Sequence, residues 1–516
     1  MRPLQQMRAD HLPTHPVRAR RPLKALGADS RTSEPVVARL IRCTAVDQPE
    51  AMTSAIFRRR HVRRTLVKTA VAAVSVAMTA GSVGAAHAAP SRRVGVKAAS
   101  GSEAVKGVQR VGGVSVKGVI SLVFLDYGGE HNKRSIVFAT GKFGLKAYDI
   151  TADPTRPTLV GELNMPGLRE TEDTNVDPRR KLIFLARDPT AFGGDEETGE
   201  SGVYIIDVAD PEHVRQLAYA KVPAGHTTSC INDCSYLWTS GAGRASWMPP
   251  EWGGRPVWVT DVRNAREPKT YPDPIDTGRH DGVTDGVHDV QVDSDGVAWT
   301  SGRGGVRGYH TRGEHYDPVA KRVRRATAVD PVPYAGGGID EAASGGSWEH
   351  NSYRPVGRTG DQAADPEKWG DGNLIYVTDE YWVANNCAAA GPLVIASLEG
   401  SYDGQGWRST PDNKFRLRTI STWRVAGQEG SDPTTDDCAA HYFDVRDGVL
   451  VQSFYAQGTR FLDVRDPTNP RQIAYYRPAN AQSYQPYWRG EYVYVADEQR
   501  GIDILRPTFR VGRLAI

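Results

Sequence analysis

Side chains that bind metal ions recur at one position in this 516-residue sequence, ten to twelve residues before an apolar run. They are His226, His288, His350 and His441, preceded along the chain by the carboxylates Glu172 and Asp173. His350 fits the pattern once residues 356–372 are treated as an insertion, and the last copy carries Gln482-Ser483 instead. Imidazoles and carboxylates that converge on one centre bind zinc, iron or copper. We therefore expect these six residues to hold a divalent transition metal.

The apolar runs that would position these residues occur seven times. Their centres are Phe138, Phe184, Trp238, Trp299, Tyr376, Val451 and Tyr494. Each run meets a second run across a Gly-rich turn, a pattern typical of a β-hairpin. The shortest spacing, 43 residues from Val451 to Tyr494, is the length of one four-stranded propeller blade. A hairpin cannot bury both of its faces alone. The sequence therefore predicts an all-β, seven-bladed β-propeller with loop insertions at its mouth.

The propeller explains why residues so far apart in sequence would meet. Equivalent positions in successive blades are related by rotation about the axis, so like residues converge there. Glu172 or Asp173 is the expected carboxylate, and Asp289 and Glu349 are expected to orient the imidazole rings. In the alternative, each histidine hydrogen-bonds a neighbouring blade and closes the inner ring without a metal.

The second run of several copies ends in an aspartate that precedes a turn. These aspartates are Asp149, Asp207, Asp261 and Asp463. An aspartate at such a position accepts a hydrogen bond from the backbone N–H two residues later. We expect that structural role for them rather than calcium binding.

Four segments with this ending resemble the LVIVD repeat of secreted and surface bacterial proteins. They are Gly144–Leu163, Gly202–Val222, Gly254–Ile275 and Gly458–Arg477. The resemblance implies a β-propeller over nearly all of the mature chain and implies no particular activity. Gly391–Ser401 departs from the pattern, with Ser397-Leu where Asp-Val would stand.

The N-terminal segment differs in charge from the rest of the chain. Residues 1–88 hold 15 Lys/Arg and 5 Asp/Glu, a net +10, whereas the whole chain is +3 and the remainder is therefore −7. The basic character of the protein is thus no argument for nucleic-acid binding. Residues 52–88 combine a basic start, a mild apolar stretch and Ala86-His87-Ala88, which is typical of a signal peptide. We expect a secreted, extracellular protein.

The other predicted domain boundaries are placed relative to this signal-peptide segment. Residues 1–51 are a disordered extension or follow from a misassigned start, and Arg63-Arg64 fits either a twin-arginine or a general secretory signal. The apolar stretch is too short to span a membrane. Residues 89–112 are predicted to be a flexible linker and residues 113–516 the propeller. The run Val114–Phe124 has no hairpin before it, so we expect it to complete the last blade.

Four cysteines follow the leader: Cys230, Cys234, Cys387 and Cys438. An even number in an exported chain favours disulfides, which we expect to pair Cys230 with Cys234 and Cys387 with Cys438. A zinc site formed by all four is the alternative, although it lacks the usual C-x-x-C spacing.

Three segments outside the repeat are expected to form loops or insertions at the mouth: 247–252, 307–347 and 380–418. The aromatic side chains of 247–252 and 380–418 include Trp247, Trp252, Tyr381, Trp382, Tyr402 and Trp407. Aromatic loops suit a protein, peptide or glycan partner. The leading functional hypothesis is an extracellular binding or scaffold protein. The rival hypothesis is a metal-dependent hydrolase or oxidoreductase that uses the four histidines.

Overall fold

A computed structural model of the chain describes most of the region after the leader. The described residues are 103–129, 132–165, 171–188, 201–241, 257–275, 287–302, 305–317, 320–334, 348–355, 372, 374–383, 386–399, 416–435 and 437–510. All of them lie in one compact unit, residues 88–516. Their regular structure is entirely β. Within these ranges no helix is long and apolar enough to cross a membrane. The predicted signal peptide lies outside the described residues.

Seven antiparallel sheets of at least four strands form the blades of a β-propeller. The two N-terminal strands are β1 (Ala104–Lys106) and β2 (Val108–Ser115). Blade one comprises β3 (Val119–Tyr127), β4 (Arg134–Gly141), β5 (Gly144–Asp149) and β6 (Thr158–Asn164). Blade two comprises β7 (Asn175–Asp177), β8 (Leu182–Arg187), β9 (Gly202–Asp207) and β10 (Arg215–Lys221). Blade three comprises β11 (Thr227–Ile231), β12 (Tyr236–Ser240), β13 (Trp258–Asp261) and β14 (Lys269–Thr270).

Blades four to seven continue the same order from the axis outward. Blade four comprises β15 (Val287–Val292), β16 (Val297–Gly302), β17 (Gly305–His310) and β20 (Val332–Pro333), with a separate hairpin of β18 (Glu314–Asp317) and β19 (Arg322–Arg325). Blade five comprises β21 (Glu349–Tyr353), β22 (Leu374–Asp379), β23 (Leu393–Glu399) and β24 (Arg416–Trp423). Blade six comprises β25 (Phe443–Arg446), β26 (Val449–Ser453), β27 (Thr459–Asp463) and β28 (Arg471–Arg477). Blade seven comprises β29 (Ser483–Arg489), β30 (Tyr492–Asp497) and β31 (Gly501–Pro507).

The seven predicted apolar runs are the second strands of the seven blades, and the residue at the centre of each run is fully buried. They are buried because each second strand packs against both neighbouring blades. One apolar cluster joins each pair of neighbours, from blades one and two through to blades six and seven. A further cluster joins blades seven and one through Tyr494 and Val137, which closes the ring.

The N-terminal strands close the last two blades. Strand β2 pairs with β31, placing Val114 opposite Ile502, and so completes blade seven as predicted. The boundary of this run differs from the prediction, because the chain turns at Gly118 and residues 119–127 form the first strand of blade one. Strand β1 adds an outer strand to blade six. Strands therefore begin at Ala104, within the predicted linker 89–112, because pairing covers otherwise open sheet edges.

The turn aspartates behave as predicted. Each accepts a hydrogen bond from the backbone N–H two residues later, at 2.8 Å for Asp149, 3.0 Å for Asp207 and Asp261, and 3.2 Å for Asp463. Each also pairs with an arginine. These aspartates therefore stabilise the turns that end the third strands.

Two expectations about the insertions were wrong. Residues 307–333 were expected to form an insertion, but they contain the outer strands of blade four and its hairpin. Within 380–418, the atypical segment Gly391–Ser401 contains the third strand of blade five. Both segments pair in sheets although they lack the Asp-Val ending. The two disulfides, Cys230–Cys234 and Cys387–Cys438, are those predicted, which excludes the four-cysteine zinc site.

Candidate metal centre

One residue from each blade faces the propeller axis at the same level, and together they form the axial ring. Its members, from blade one to blade seven, are Ile120, Glu172, His226, His288, His350, His441 and Tyr484. In blades one, four, five and seven the strand register shifts at this residue. Such a bulge redirects one side chain without ending the strand. In blade seven the position belongs to Tyr484 rather than to the predicted Gln482-Ser483.

The four histidines surround the carboxylate of Glu172, and all five residues are buried. The Nε2 atoms of His226, His288 and His350 lie 3.4, 3.7 and 3.2 Å from Oε2 of Glu172. The Nε2 atom of His441 lies 3.3 Å from its Oε1. The Nε2 atoms of His226 and His288 are 2.9 Å apart. The structure thus brings together five of the six predicted ligands in two overlapping groups that share Glu172.

Glu172 is presented by a tight turn, residues 171–174, immediately before β7. Thr140 of blade one holds this turn: its hydroxyl lies 3.0 Å from that of Thr171 and 2.9 Å from that of Thr174. The next residue, Asp173, adopts a φ of 45° in the left-handed region, which reverses the chain direction. The carboxylate therefore reaches the axis because a neighbouring blade fixes the backbone that carries it.

Three of the rings are oriented through their Nδ1 atoms. His226 Nδ1 lies 2.9 Å from Oδ2 of Asp188. His288 Nδ1 donates to the backbone oxygen of His350 at 3.0 Å, and His441 Nδ1 donates to that of Tyr484 at 2.6 Å. A ring that donates through Nδ1 when neutral presents the lone pair of Nε2 to the centre. Asp289 was expected to orient a ring, but it pairs with Gln291 instead, and other acceptors occupy the Nδ1 positions of these three rings. A role of Glu349 in orienting a ring stays a prediction.

Asp173 does not belong to the ligand set around Glu172. Its Oδ2 accepts a hydrogen bond from Ser229 Oγ at 3.0 Å, two residues beyond the start of β11. Asp289 accepts one from Gln291 at 2.9 Å. Burial raises the pKa of Asp173 to about 6. Burial and the charge of Asp173 raise the pKa of Asp289 well above its ordinary value. These two buried carboxyl groups interact with each other and lie apart from the ligand set around Glu172.

The electrostatics of the ring depend on burial and on Glu172. Burial opposes ionisation of Glu172, but His441 and His226 outweigh it and lower the pKa of the carboxyl well below its ordinary value. Burial also opposes protonation of His226, yet Glu172 and Asp188 raise the pKa of that ring well above the usual range. Burial and neighbouring imidazoles lower the pKa of His288 and of His350. A negative centre is therefore surrounded by rings that cannot all be protonated.

The sequence analysis missed the roles of Asp188, Glu380 and Tyr455. Glu380 Oε2 lies 3.8 Å from His350 Nε2, and Tyr455 donates a hydrogen bond to Glu380. Asp188 follows β8 directly, and Glu380 follows β22 in the same way. Both are acidic residues directly after a second strand, a signal that Glu498 shares without contacting the ring.

Most of the aromatic mouth loops lie outside the described residues, including Trp247, Trp252, Tyr402 and Trp407. Binding of a protein, peptide or glycan partner there stays a prediction. No protein-family model matches the chain, so the resemblance to the LVIVD repeat also stays a prediction. No curated protein matches the sequence.

Several solved structures are similar to this chain in the path of the backbone. A periplasmic gluconolactonase of Pseudomonas aeruginosa shares 16% identity, with a TM-score of 0.44, over 77% of this chain and 94% of its own. A protein of Bacteroides uniformis, named as a candidate 6-phosphogluconolactonase, shares 12% identity, with a TM-score of 0.45, over 77% and 95%. The WD40 repeats of RRP9 share 10% identity, with a TM-score of 0.44, over 80% and 99%. These similarities are too distant to bear on activity.

Proposed function

We propose that the protein is a metal-dependent enzyme whose metal is held by Glu172 and the four histidines of the axial ring. The observation that carries the proposal is the convergence of imidazole nitrogens on one buried carboxylate. His288 and His441 donate through Nδ1 to backbone oxygens, so their Nε2 lone pairs face Glu172 when the rings are neutral. Lone pairs and a carboxylate that converge in a buried site favour a cation between them.

The distances between the donor atoms support a metal as that cation. Bonds of 2.0–2.1 Å place neighbouring ligand atoms about 2.9 to 3.6 Å apart, for angles between 90° and 120°. The separation between His226 Nε2 and His288 Nε2 is 2.9 Å, and those from the histidines to Glu172 run from 3.2 to 3.7 Å. Within each group of three donors that shares Glu172, these separations are close to those of a coordination shell.

The composition of the donor set indicates which metal fits. It contains four imidazoles and one carboxylate and no sulfur, which suits zinc, iron or copper. Zinc sites take four ligands in most cases. The donors fall into two groups of three that share Glu172. A three-ligand group with an open position suits a catalytic zinc, iron or copper centre, in a hydrolase or an oxidoreductase. A metal of this kind would supply a redox couple or Lewis acidity at the propeller mouth.

We also propose that the protein is exported. Disulfides persist in oxidising compartments and are rare in the cytosol of most organisms. The two cysteine pairs of this chain, Cys230–Cys234 and Cys387–Cys438, support that location together with the signal-peptide pattern of residues 52–88.

Metal reconstitution tests the proposed centre. The protein is purified, stripped with a chelator and titrated with Fe(II), Cu(II) or Zn(II), and bound metal is measured by mass spectrometry. We expect about one tightly bound metal per chain. The double variant His350→Ala/His441→Ala should lose it.

The matched control is His213→Ala, which removes an exposed imidazole paired with Asp210 outside the ring. It should bind metal as the unmodified protein does. Binding that falls equally in both variants, or that is absent from the unmodified protein, would show that the axial ring is not a metal centre.

A further inference from the structure

Glu380 lies at the edge of the metal centre without joining the axial ring. Together with His288 and His350 it forms a third group of ligand atoms that lie within 4.8 Å of one another. Its backbone N–H donates to the oxygen of Trp348 at 2.8 Å, which fixes its main chain. Its Oε2 is 3.8 Å from His350 Nε2. A change of rotamer is therefore enough to alter the distance between this carboxylate and the centre.

Tyr455 holds the other oxygen of this carboxylate through a hydrogen bond to Oε1. The tyrosine adopts a φ of 44°, a left-handed conformation that is strained for a bulky side chain. Two backbone hydrogen bonds with Ser483, at 3.2 and 3.1 Å, fix it there. Its ring lies 4.6 Å from that of Trp382 and 4.5 Å from that of His441. The surroundings thus enforce one position of the phenol.

In blades one and seven, the residues of the axial ring are neither histidines nor carboxylates. Blades one and seven contribute Ile120 and Tyr484, which form a buried cluster with Tyr455, and Trp382 packs against it. Five donors come from the other five blades. The axial ring therefore carries no metal ligand on the side of Ile120 and Tyr484, which Tyr455 borders.

We propose that this side is the exchangeable coordination position of the centre, and that Tyr455 keeps it open by holding Glu380 away. The inference rests on the proposed metal centre. The position takes a small, uncharged or singly charged ligand that binds through one atom, because apolar and aromatic side chains border it. Without the Tyr455 hydroxyl, the buried carboxylate turns toward the cation and competes for the position.

Azide binding to the Cu(II)-loaded protein tests the inference without any assay of activity. Azide is a small anion that coordinates through one nitrogen, and its binding to Cu(II) gives a charge-transfer absorption band. The apparent dissociation constant is measured for the unmodified protein, Tyr455→Phe, Glu380→Gln and the double variant. Copper content and circular dichroism of each confirm that fold and metal are retained.

We expect Tyr455→Phe to weaken azide binding by about tenfold or more, since the position is then open in at most about a tenth of the molecules. Glu380→Gln should bind azide within about threefold of the unmodified protein, and the double variant should recover that affinity, because a neutral amide competes poorly for the cation. Unchanged azide affinity in Tyr455→Phe, or no recovery in the double variant, would overturn the inference. Absence of copper from the unmodified protein would instead defeat the metal centre itself.

Discussion

The disulfide Cys387–Cys438 should support both the fold and the metal centre. Cys438 lies three residues before His441, and the backbone N–H of Ala440 donates to the oxygen of Gly391 at 3.1 Å. The disulfide thus links the segment that carries His441 to the segment that follows Glu380. Cys387→Ser/Cys438→Ser should lower the free energy of unfolding and weaken metal binding.

The size of the stability change follows from the length of the closed loop. Cys387 and Cys438 are 51 residues apart, which corresponds to about 4 kcal/mol of restricted unfolded-chain entropy at 25 °C. Cys230 and Cys234 are only 4 residues apart, which corresponds to about 2 kcal/mol. Cys230→Ser/Cys234→Ser is therefore the matched control, and the two variants should differ by about 2 kcal/mol.

Two assays separate the effects. Urea denaturation of the metal-free proteins gives the difference in the free energy of unfolding. Competition with a chelator gives the metal dissociation constants, which should rise by about tenfold in the Cys387/Cys438 variant, as when a group that supports a ligand is removed. In the control the dissociation constant should not change. Equal losses of stability in both variants, together with equal metal affinities, would refute this reasoning.

Three further predictions concern single residues. Thr140→Val removes the hydroxyl that holds the turn of Glu172, and chelator competition should show metal binding weakened by roughly three- to tenfold; an unchanged constant would contradict that role. Asp188→Asn removes the charged partner of His226 Nδ1 and should weaken metal binding by about 10- to 100-fold. Chelator competition measures this change, with the Cys230/Cys234 variant as the control. Burial raises the pKa of the Asp379 carboxyl to about 7, above its value in the unfolded chain, so the contribution of this group to stability is lost as pH rises through about 7. In urea denaturation, Asp379→Asn should be as stable as the unmodified protein at pH 4 and more stable at pH 8. Equal stabilities at pH 8 would contradict the pKa shift.

The repeat explains why the histidines were predictable from sequence. His226, His288 and His441 each precede their second strand by a similar number of residues, and rotation about the axis then brings them together. His350 required the assumption of a long insertion, and the bulge in β21 confirms its equivalence to the others.

The partners of these histidines were not predictable from the same pattern. Asp188 and Glu380 contact the ring from the ends of second strands, and their position depends on how a neighbouring blade packs. Asp173 and Glu172 are adjacent in sequence, and only the left-handed φ of Asp173 decides which carboxylate reaches the axis. The disulfides were predictable because Cys230 and Cys234 are close enough in sequence to pair across a tight turn, which leaves Cys387 to pair with Cys438.

Anomalous X-ray diffraction from crystals of the metal-loaded protein, recorded at the absorption edge of the bound metal, tests the central claim most directly. The account predicts one strong peak on the propeller axis, about 2.0 to 2.3 Å from Nε2 of at least two of the four histidines and from Glu172. A peak elsewhere, or none at the axial ring in crystals that contain the metal, would contradict it.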